Sequence, residues 1–331
     1  MIFSLVAVDE VTRVAEARRL AVSAARAEGL DETAVEQVGI MATEMATNLL
    51  KHAISGQLHL YRLFHTGYAG VEILSVDRGP GMSNLQACMQ DGFSTSGTAG
   101  NGLGAISRLA SSFDGFSQPG RGTVLVARKY LKPATGPRWI FGAAMSPYPG
   151  ETVCGDSWGV RQFGNGASLM VADGLGHGLA ASDASTAAVT AFRTAAVDTA
   201  VAVIEDIHRA LRSTRGAAVA VAMIDENMRR LRYAGIGNIS GVVLGGARAQ
   251  SMVSHNGTAG LEARHLQQFD YPLPEEPVII MHTDGLTTNW SLDGYPGLLR
   301  RDPSVIAGVL YRDAARGRDD VCVVSGRFLR G

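Results

Sequence analysis

The chain has 331 residues, of which 46% are hydrophobic and 18% charged, and its 30 basic and 31 acidic side chains leave a formal net charge of -1. This length suffices for two domains, and a near-neutral charge without a basic block argues against a nucleic-acid partner. No apolar run approaches the about 18–20 residues of a membrane span, and three widely separated cysteines favour a reduced, cytoplasmic setting.

An amphipathic helix is predicted from Asp31 to about His52. Asp31 is a suitable N-cap, and apolar residues recur at spacings of three and four, namely Val38, Met41, Met45 and Leu49. Glu44, Asn48 and His52 step by four along another face, so they can point at one object. An acid and an amide in this arrangement suit Mg²⁺, which prefers oxygen ligands. A solvated face is the alternative for this triplet taken alone.

Two strands are predicted next, at 57–64 and 70–76, and the second leads into the turn Asp77-Arg78-Gly79-Pro80-Gly81-Met82. Its glycines let the backbone approach a flat ligand closely, and the Asp77 carboxylate can accept a hydrogen bond from an exocyclic amine such as that of adenine. A polar stretch at 91–99 has the composition of a lid.

The loop Gly100-Asn101-Gly102-Leu103-Gly104 then precedes a predicted helix from Ala105 to about Ser111. Glycines at a helix N-terminus expose backbone N–H groups to an anion such as phosphate. A dinucleotide-binding fold would require a strand directly before this loop, and the composition of 91–99 argues against one.

These elements, in this order, resemble the GHKL ATPase superfamily, which includes histidine kinases and gyrase. The helix with Glu44 and Asn48 matches its N box, 77–82 its adenine-binding box and 100–104 its phosphate-binding box. Gly122-Thr123 before Val124–Val126 matches the closing strand. The resemblance covers about residues 10–130, and the stretch Met89-Gln90-Asp91-Gly92-Phe93-Ser94-Thr95 looks specifically like the RsbT-type switch kinases.

Such kinases transfer phosphate from ATP to Ser or Thr of small STAS-domain proteins. The resemblance implies ATP with Mg²⁺ as cofactor, Glu44 as base or water-organiser, Asn48 as magnesium ligand and Asp77 as the adenine contact. The full set implied to bind ATP is Asn48, Asp77, Gly79, Gly81, Gly100, Gly102, Leu103, Gly104 and Thr123.

A linker is predicted at 133–137, where two prolines, a glycine and a threonine occur together. We therefore place domains at 1–132 and 138–331. In the second, acidic residues stand at the ends of apolar runs: Asp156, Asp173, Asp284 and the doublet Asp319-Asp320. A single Asp-Gly pair is typical of a turn. Four acidic positions at strand boundaries favour instead a site for two Mn²⁺ or Mg²⁺ ions, which can clamp a phosphoryl transfer.

This second pattern resembles the PPM family of metal-dependent Ser/Thr phosphatases, and within it the SpoIIE/RsbX branch, over about residues 142–328. Its most specific piece is Asp173-Gly174-Leu175-Gly176-His177-Gly178. The resemblance implies that metal ligands include the Gly174 carbonyl and the side chains of Asp156, Asp173, Asp284 and one of the doublet, Asp319 being preferred over Asp320. His177 either protonates a leaving oxygen or shapes the loop. Cys322 stands where relatives have Thr or Ser, a departure that concerns packing.

Between these motifs, 180–213 is predicted to form one or two helices, and 218–224 with 230–234 a strand hairpin. Asn238 is interpreted as a turn residue. His208, His255 and His282 have no partner spacing and are interpreted as ordinary surface or core residues.

The expected fold is α/β in two domains: a GHKL-type α/β sandwich with a mixed sheet and helices on one face, followed by a PPM-type αββα sandwich. The expected function is a bifunctional regulator that phosphorylates and dephosphorylates a STAS-domain anti-sigma-factor antagonist or stressosome-like protein. The circuit would end at a sigma factor or a signalling enzyme, with no nucleic acid and no membrane involved. The alternatives are a first half that binds ATP and sequesters a partner without transfer, or that senses nucleotide and gates the phosphatase.

Overall fold

The computed structural model of the chain describes residues 3–63, 69–88, 102–132, 139–196, 199–263 and 265–329. Several sequence predictions lie outside the described residues: Gly100 and Asn101, the polar stretch 91–99 with the RsbT-like residues 89–95, and the linker 133–137. In the described ranges, no helix combines the length and the apolar character that crossing a membrane requires.

The first half contains, in chain order, β1 (Phe3–Ala7), α1 (Val11–Ala27), α2 (Glu32–His52), β2 (Gln57–Arg62), β3 (Gly70–Val76), α3 (Leu85–Cys88), α4 (Gly102–Leu109), β4 (Ser112–Ser117) and β5 (Thr123–Tyr130). The predicted long helix and the two strands after it are therefore confirmed. The strand predicted at 57–64 ends two residues early, at Arg62.

The second half contains β6 (Trp139–Ser146), β7 (Asp156–Phe163), β8 (Gly166–Gly174), α5 (Leu179–Thr194), α6 (Ala200–Ala210), β9 (Ala217–Asp225), β10 (Arg230–Ile236), β11 (Ser240–Leu244), β12 (Gln250–Met252), β13 (Phe269–Pro272), β14 (Val278–His282), α7 (Pro303–Ala314) and β15 (Val321–Phe328). Short 3-10 helices occur at Leu211–Ser213 and Leu298–Arg300. Two helices thus occupy 180–213, and β9 and β10 form the predicted hairpin.

By its internal contacts the chain divides into two compact units. The first unit is Met1–Thr135 together with Arg300–Arg312, and the second is Gly136–Leu299 together with Asp313–Gly331. Most of α7 therefore belongs to the first unit, although its sequence lies within the second half. The sequence alone did not predict this exchange of a segment.

The first unit contains a five-stranded sheet in the order β1-β2-β3-β5-β4. All of its described strand pairs are antiparallel, where the sequence analysis expected a mixed sheet. The reason is the connection between β1 and β2: α1 and α2 form a helical hairpin, which returns the chain to the end of the sheet at which β1 finishes. Both helices pack their apolar faces onto one face of this sheet.

The other face of this sheet contacts α7. The expectation that helices cover only one face was therefore wrong. An added Cβ on Gly308 of α7 would lie 2.7 Å from Val124 Cγ1 and 3.5 Å from side-chain atoms of Leu74 and Val76. Every residue of β3 is buried, which is typical of a strand that is covered on both faces.

A buried charged network joins α7 to this sheet. Arg128 of β5 donates from Nε to Glu72 of β3 at 2.5 Å and from Nη2 to Asp302 at 2.7 Å. Ser304 Oγ lies 2.9 Å from Arg128 Nη2 and donates to Glu72 Oε2 at 2.9 Å. The four side chains are all buried. Because water cannot reach them, their polar groups form hydrogen bonds with one another within the unit.

The second unit contains two five-stranded sheets, ordered β13-β10-β9-β8-β7 and β12-β11-β14-β15-β6. All the described pairs in both sheets are antiparallel. The two sheets contact each other through β7, which packs on β15 and β6, and α5 and α6 pack on the first sheet. The two sheets with α5 and α6 are the ββ core and one helical layer of the αββα sandwich that was expected for the second half.

Candidate nucleotide site and candidate metal centre

Glu44 and Asn48 lie on the half-buried side of α2, beside its fully buried stripe. The helix begins where the Asp31 carboxylate accepts a hydrogen bond from the Ala34 N–H at 2.7 Å. A Cβ built on Gly102 would lie 3.2 Å from Glu44 Oε2 and 3.7 Å from both amide atoms of Asn48. The structure therefore brings the acid, the amide and the described end of the glycine loop together.

Helix α4 begins at Gly102, three residues before the predicted start at Ala105. Leu103 and Gly104 consequently lie in its first turn, and Gly104 is buried where α4 packs on α2. The N–H groups of a first turn have no partner within their own helix. They are the donors that a phosphate group at a helix N-terminus would use.

The turn after β3 fixes Asp77 against the start of β5. Asp77 Oδ1 accepts from the Gly79 N–H at 2.6 Å, and the Asp77 N–H donates to the Thr123 carbonyl at 3.0 Å. Gly81 has φ +67°, and a Cβ there would lie 2.1 Å from the Gln118 carbonyl oxygen, so no other residue fits. Burial raises the pKa of Asp77, while its backbone hydrogen bonds lower it. The result is a positioned carboxylate at the predicted adenine contact.

The predicted metal residues meet where β7 begins and where β8 and β14 end. Asp156 of β7 stands opposite Asp173 of β8 in the strand register. Asp156 Oδ2 accepts from Thr283 Oγ1 at 2.7 Å, directly after β14. Gly174 ends β8, and its N–H donates to the Gly155 carbonyl at 3.2 Å.

The remaining acidic residues approach the same place from β15 and the turn after β14. Asp320 Oδ1 accepts from the N–H groups of Tyr148 and Gly155, both at 2.9 Å, and Asp319 Oδ1 accepts from the Asp320 N–H at 3.0 Å. Asp284 Oδ2 accepts from Asn238 Nδ2 at 2.8 Å. Asn238 was interpreted as a turn residue. The structure confirms this, since Asn238 lies in the bend between β10 and β11. Its amide also orients Asp284, a predicted metal ligand, which the sequence did not indicate.

Mutual repulsion and burial show in the acid–base properties of this cluster. Burial, together with the charges of Asp284, Asp319 and Asp320, raises the pKa of Asp173 to about 7. Burial and the neighbouring Asp173 raise the pKa of Asp156 well above its usual range. The carboxylates are therefore close enough to repel one another electrostatically, and a bound cation would displace their protons.

The chemistry of the donors fits hard divalent cations. Asp156 Oδ1 and Asp320 Oδ2 are buried and have no hydrogen-bond partner among the described residues. Buried, unpaired carboxylate oxygens are costly unless a cation compensates them. In the described ranges, no three His, Cys, Asp or Glu side chains are already arranged to hold one metal ion. The individual ligand assignments accordingly stay predictions.

Comparison with known proteins assigns each half. Residues 7–129 match the family model of the histidine kinase-like ATPase domain, and residues 164–328 match that of stage II sporulation protein E (SpoIIE). The serine/threonine-protein kinase RsbT of Bacillus subtilis is 33% identical over 119 residues, which are 36% of this chain and 90% of RsbT. By this likeness the chain belongs to the RsbT family, and its second half matches the SpoIIE family model.

RsbX matches the SpoIIE-like half both in sequence and in a solved structure. The phosphoserine phosphatase RsbX of Bacillus subtilis is 30% identical over 90 residues, which are 27% of this chain and 45% of RsbX. A crystal structure of RsbX in complex with magnesium is 20% identical, with a TM-score of 0.51, and covers 59% of this chain and 97% of that one. This second likeness shows a shared fold.

The family matches differ in how they cover the two sites. The match to the histidine kinase-like ATPase domain, 7–129, spans all of the predicted nucleotide residues. The SpoIIE match begins at residue 164, so Asp156 lies before it while the other acidic residues lie within it. The prediction that Asp156 is a metal ligand therefore depends on its strand register with Asp173 and on its buried Oδ1, which has no hydrogen-bond partner among the described residues.

Two cysteines stand beside the SpoIIE-like carboxylates. Burial and the charge of Asp156 raise the pKa of both Cys154 and Cys322 well above the usual thiol value. Cys322 is fully buried in β15, as expected for a residue that only packs.

His177 lies in the turn between β8 and α5 of the SpoIIE-like half. Its ring is half exposed, and Nδ1 is 2.9 Å from Glu151 Oε1. Glu151 belongs to the segment after β6, and sequence patterns did not mark it. His208 and His282 are satisfied as predicted, since each Nδ1 has a backbone hydrogen-bond partner.

Proposed function

We propose that the chain is a bifunctional partner-switching regulator. Its RsbT-like half phosphorylates Ser or Thr of a STAS-domain protein, and its SpoIIE-like half hydrolyses that phosphate. The observation that carries the proposal is the presence, in one chain, of Glu44 and Asn48 facing Gly102 and of a buried carboxylate cluster around Asp173. The partner's chemical class, an anti-sigma-factor antagonist or stressosome-like protein, follows from the likeness to RsbT and RsbX. A sigma factor or signalling enzyme would receive the signal.

In the RsbT-like half each residue has a distinct task. Glu44 accepts the proton of the attacking hydroxyl as a general base, which requires hydrogen-bond reach of the reacting atoms. The Asn48 side-chain oxygen binds Mg²⁺, and the first-turn N–H groups of α4 bind the phosphates of ATP. Asp77 accepts from the adenine amine. The positions of Gly79, Gly81 and Thr123 support this turn.

In the SpoIIE-like half the proposed ligands of two Mn²⁺ or Mg²⁺ ions are the carboxylates of Asp156, Asp173 and Asp284, one of the doublet Asp319-Asp320, and the Gly174 carbonyl. The sequence favoured Asp319 in the doublet, whereas the buried, unpaired Oδ2 favours Asp320. When bound, such ions polarise the phosphate and make hydroxide available near neutral pH. The protein residues supply the negative charge that holds the ions and release their protons on loading. Asn238 and Thr283 fix the orientation of two of these carboxylates.

Opposed activities are best tested on one partner with isosteric variants. We expect labelled ATP with Mg²⁺ and Mn²⁺ to leave label on a STAS-domain protein with the Asp173→Asn variant and little with the unchanged chain. Hydrolysis of the phosphorylated partner should fall at least about 100-fold in that variant, since even outer-shell partners of a metal are worth about 10–100-fold. Adding Glu44→Gln to Asp173→Asn should reduce labelling at least about 100-fold while ATP still binds.

Two results would contradict the proposal. Full hydrolysis by Asp173→Asn would remove the metal assignment. Labelling that survives Glu44→Gln, or never occurs although ATP binds, would leave a first half that binds or senses nucleotide without transfer.

One observation favours the sensing role as a second function. Arg78, next to Asp77, donates from Nε to the Arg312 carbonyl of α7 at 3.0 Å. Two residues further on, the Ala314 carbonyl accepts from the Thr287 N–H, shortly after Asp284. In the hydrolysis assay, a rate that changes when ATP is added would support sensing, and a rate independent of ATP would remove it.

A further inference from the structure

His177 is held from two sides by one short segment, the residues between β6 and Asp156. Tyr148 stacks on the imidazole, with ring centroids 4.2 Å apart and an interplanar angle of 14°. Glu151 hydrogen-bonds Nδ1 at 2.9 Å. The segment is itself a turn, because the Glu151 N–H donates to the Tyr148 carbonyl at 2.9 Å.

The same segment is attached to the carboxylate cluster. The Tyr148 N–H donates to Asp320 Oδ1 at 2.9 Å, so one residue contacts both His177 and a predicted metal ligand. Gly178, next to His177, has φ +74°, and a Cβ there would lie 2.9 Å from Glu151 Oε1. The Glu151 carboxylate therefore occupies the space that any side chain at 178 would need.

The resemblance to the PPM phosphatases left two roles open for His177, protonation of the leaving oxygen or shaping of the loop. We propose that Glu151 is a positioning residue, which together with Tyr148 holds His177 for the first of these roles, protonation of the serine or threonine oxygen that leaves phosphorus. This inference rests on the proposed phosphatase function. Glu151 holds a proton on Nδ1, which makes Nε2 the nitrogen that gives up its proton, because the partner of one ring nitrogen determines the role of the other. Tyr148 fixes the plane of the ring.

In the proposed hydrolysis step, each bond that forms or breaks and each proton has a stated source and destination. Water oxygen bonds to phosphorus while the bond from phosphorus to the seryl oxygen breaks, and the electron pair of that bond goes to the seryl oxygen. This oxygen takes the Nε2 proton of His177, which gives the free hydroxyl. The ring starts the step as imidazolium, protonated on both nitrogens, and ends it as neutral imidazole whose Nδ1 proton stays on the ring in its hydrogen bond to Glu151. Nε2 regains its proton from solvent, and the water protons leave with inorganic phosphate and solvent.

A purely structural ion pair is the competing interpretation. The side chains of His177 and Glu151 are 50% and 34% exposed, and ion pairs this accessible contribute about 0–1 kcal/mol to stability. Leaving-group chemistry separates the two roles. A serine alkoxide is a strong base and needs a proton to leave, whereas 4-nitrophenolate leaves without one. Loss of a positioned acid therefore affects the two substrates unequally.

The kinetic test uses the full chain with Mn²⁺ and compares Glu151→Ala, Glu151→Gln and the control Asp270→Asn, which removes an exposed carboxylate paired with Arg230 on the same unit. On a phosphoseryl peptide we expect Glu151→Ala to lower kcat at least about 10-fold with KM unchanged, since a positioned acid is worth about 100-fold or more. On 4-nitrophenyl phosphate the loss should stay below about 3-fold. Glu151→Gln keeps a hydrogen-bonding group and should fall between, and Asp270→Asn should match the unchanged chain.

A second readout needs neither metal nor activity. Side-chain ¹⁵N spectra of the metal-free chain should show His177 protonated on Nδ1 at a pH where the ring is neutral. In Glu151→Ala the proton should move to Nε2, with the His177 signal assigned by its absence in His177→Ala. Asp270→Asn should leave the tautomer unchanged.

Every result of these two experiments either supports or contradicts the positioning role of Glu151. Equal losses on both substrates, a change confined to KM, or an unchanged tautomer in Glu151→Ala would overturn the positioning role while the phosphatase function stands. If the unchanged chain hydrolyses neither substrate, the phosphatase function fails and this inference fails with it.

Discussion

At the scale of single residues, Gly155 is a tightly confined position beside the carboxylate cluster. A Cβ there would lie 2.7 Å from Asp320 Oδ2 and 3.0 Å from the Ala181 Cβ, both closer than side chains normally approach. Asp320 Oδ2 is also one of the two buried carboxylate oxygens without a hydrogen-bond partner in the described part of the chain. A methyl group at 155 would therefore displace an oxygen that the metal ions are proposed to use.

We expect Gly155→Ala to bind Mn²⁺ at least about 10-fold more weakly, because overpacking of a tight site costs about 1–3 kcal/mol. Gly164→Ala is the matched control, since a Cβ at Gly164 meets no atom within 4 Å. Calorimetric titration with Mn²⁺ measures the affinity, and thermal unfolding shows whether the variant folds. Mn²⁺ affinity equal to that of Gly164→Ala would show that Asp320 Oδ2 is not a ligand.

At the scale of elements, sequence patterns predicted the helices and strands whose formation depends on residues close together in the chain. The 3.6-residue spacing of apolar side chains and the Asp31 cap gave α2, and the apolar run 70–76 gave β3 in full. The side of α2 that carries Glu44 and Asn48 followed from the same spacing. Glu151 and Asn238 were missed because their partners, His177 and Asp284, are distant in sequence and no local pattern marks the contact.

The charged network under α7 was hidden for the same reason, and it carries a prediction about stability. Burial would lower the pKa of Arg128, but Asp302 and Glu72 raise it well above the ordinary value, so this side chain stays charged. Arg128→Met would leave two buried carboxylates without their cation. We expect a loss of about 3–5 kcal/mol in the free energy of unfolding. Glu72→Gln, which keeps the shape, should cost far less.

The pH dependence of this network has a definite sign. Burial raises the pKa of Glu72 more than Arg128 lowers it, so the folded chain binds this proton more tightly than the unfolded chain. The stabilising contribution is thus full below the ordinary value of 4.5 and is lost as the pH rises through the folded pKa. Thermal unfolding midpoints at pH 5 and pH 8 should therefore differ less in Glu72→Gln than in the unchanged chain. An equal or larger difference in the variant would contradict this assignment.

At the scale of the whole molecule, one segment belongs to the second half by sequence and to the first unit by structure. Arg300–Arg312 belongs to the compact unit formed by Met1–Thr135, while the residues on either side of it belong to the second unit. The chain therefore enters the first unit a second time. Cutting the chain between the halves would not separate the first unit from all of the second half's sequence.

This arrangement predicts the behaviour of a cut chain. A protease recognition sequence inserted at 133–137 would yield two pieces after cleavage, and the first unit would still need Arg300–Arg312 from the second piece. We expect the pieces to co-elute in size-exclusion chromatography after cleavage. Arg128→Met should release them, because Asp302 and Ser304 then lose their main partner, whereas the exposed control Asp270→Asn should not. Pieces that separate without denaturant in the otherwise unchanged chain would show that the segment does not hold the halves together. The RsbT-like and SpoIIE-like halves would then be independent modules joined only by their linker.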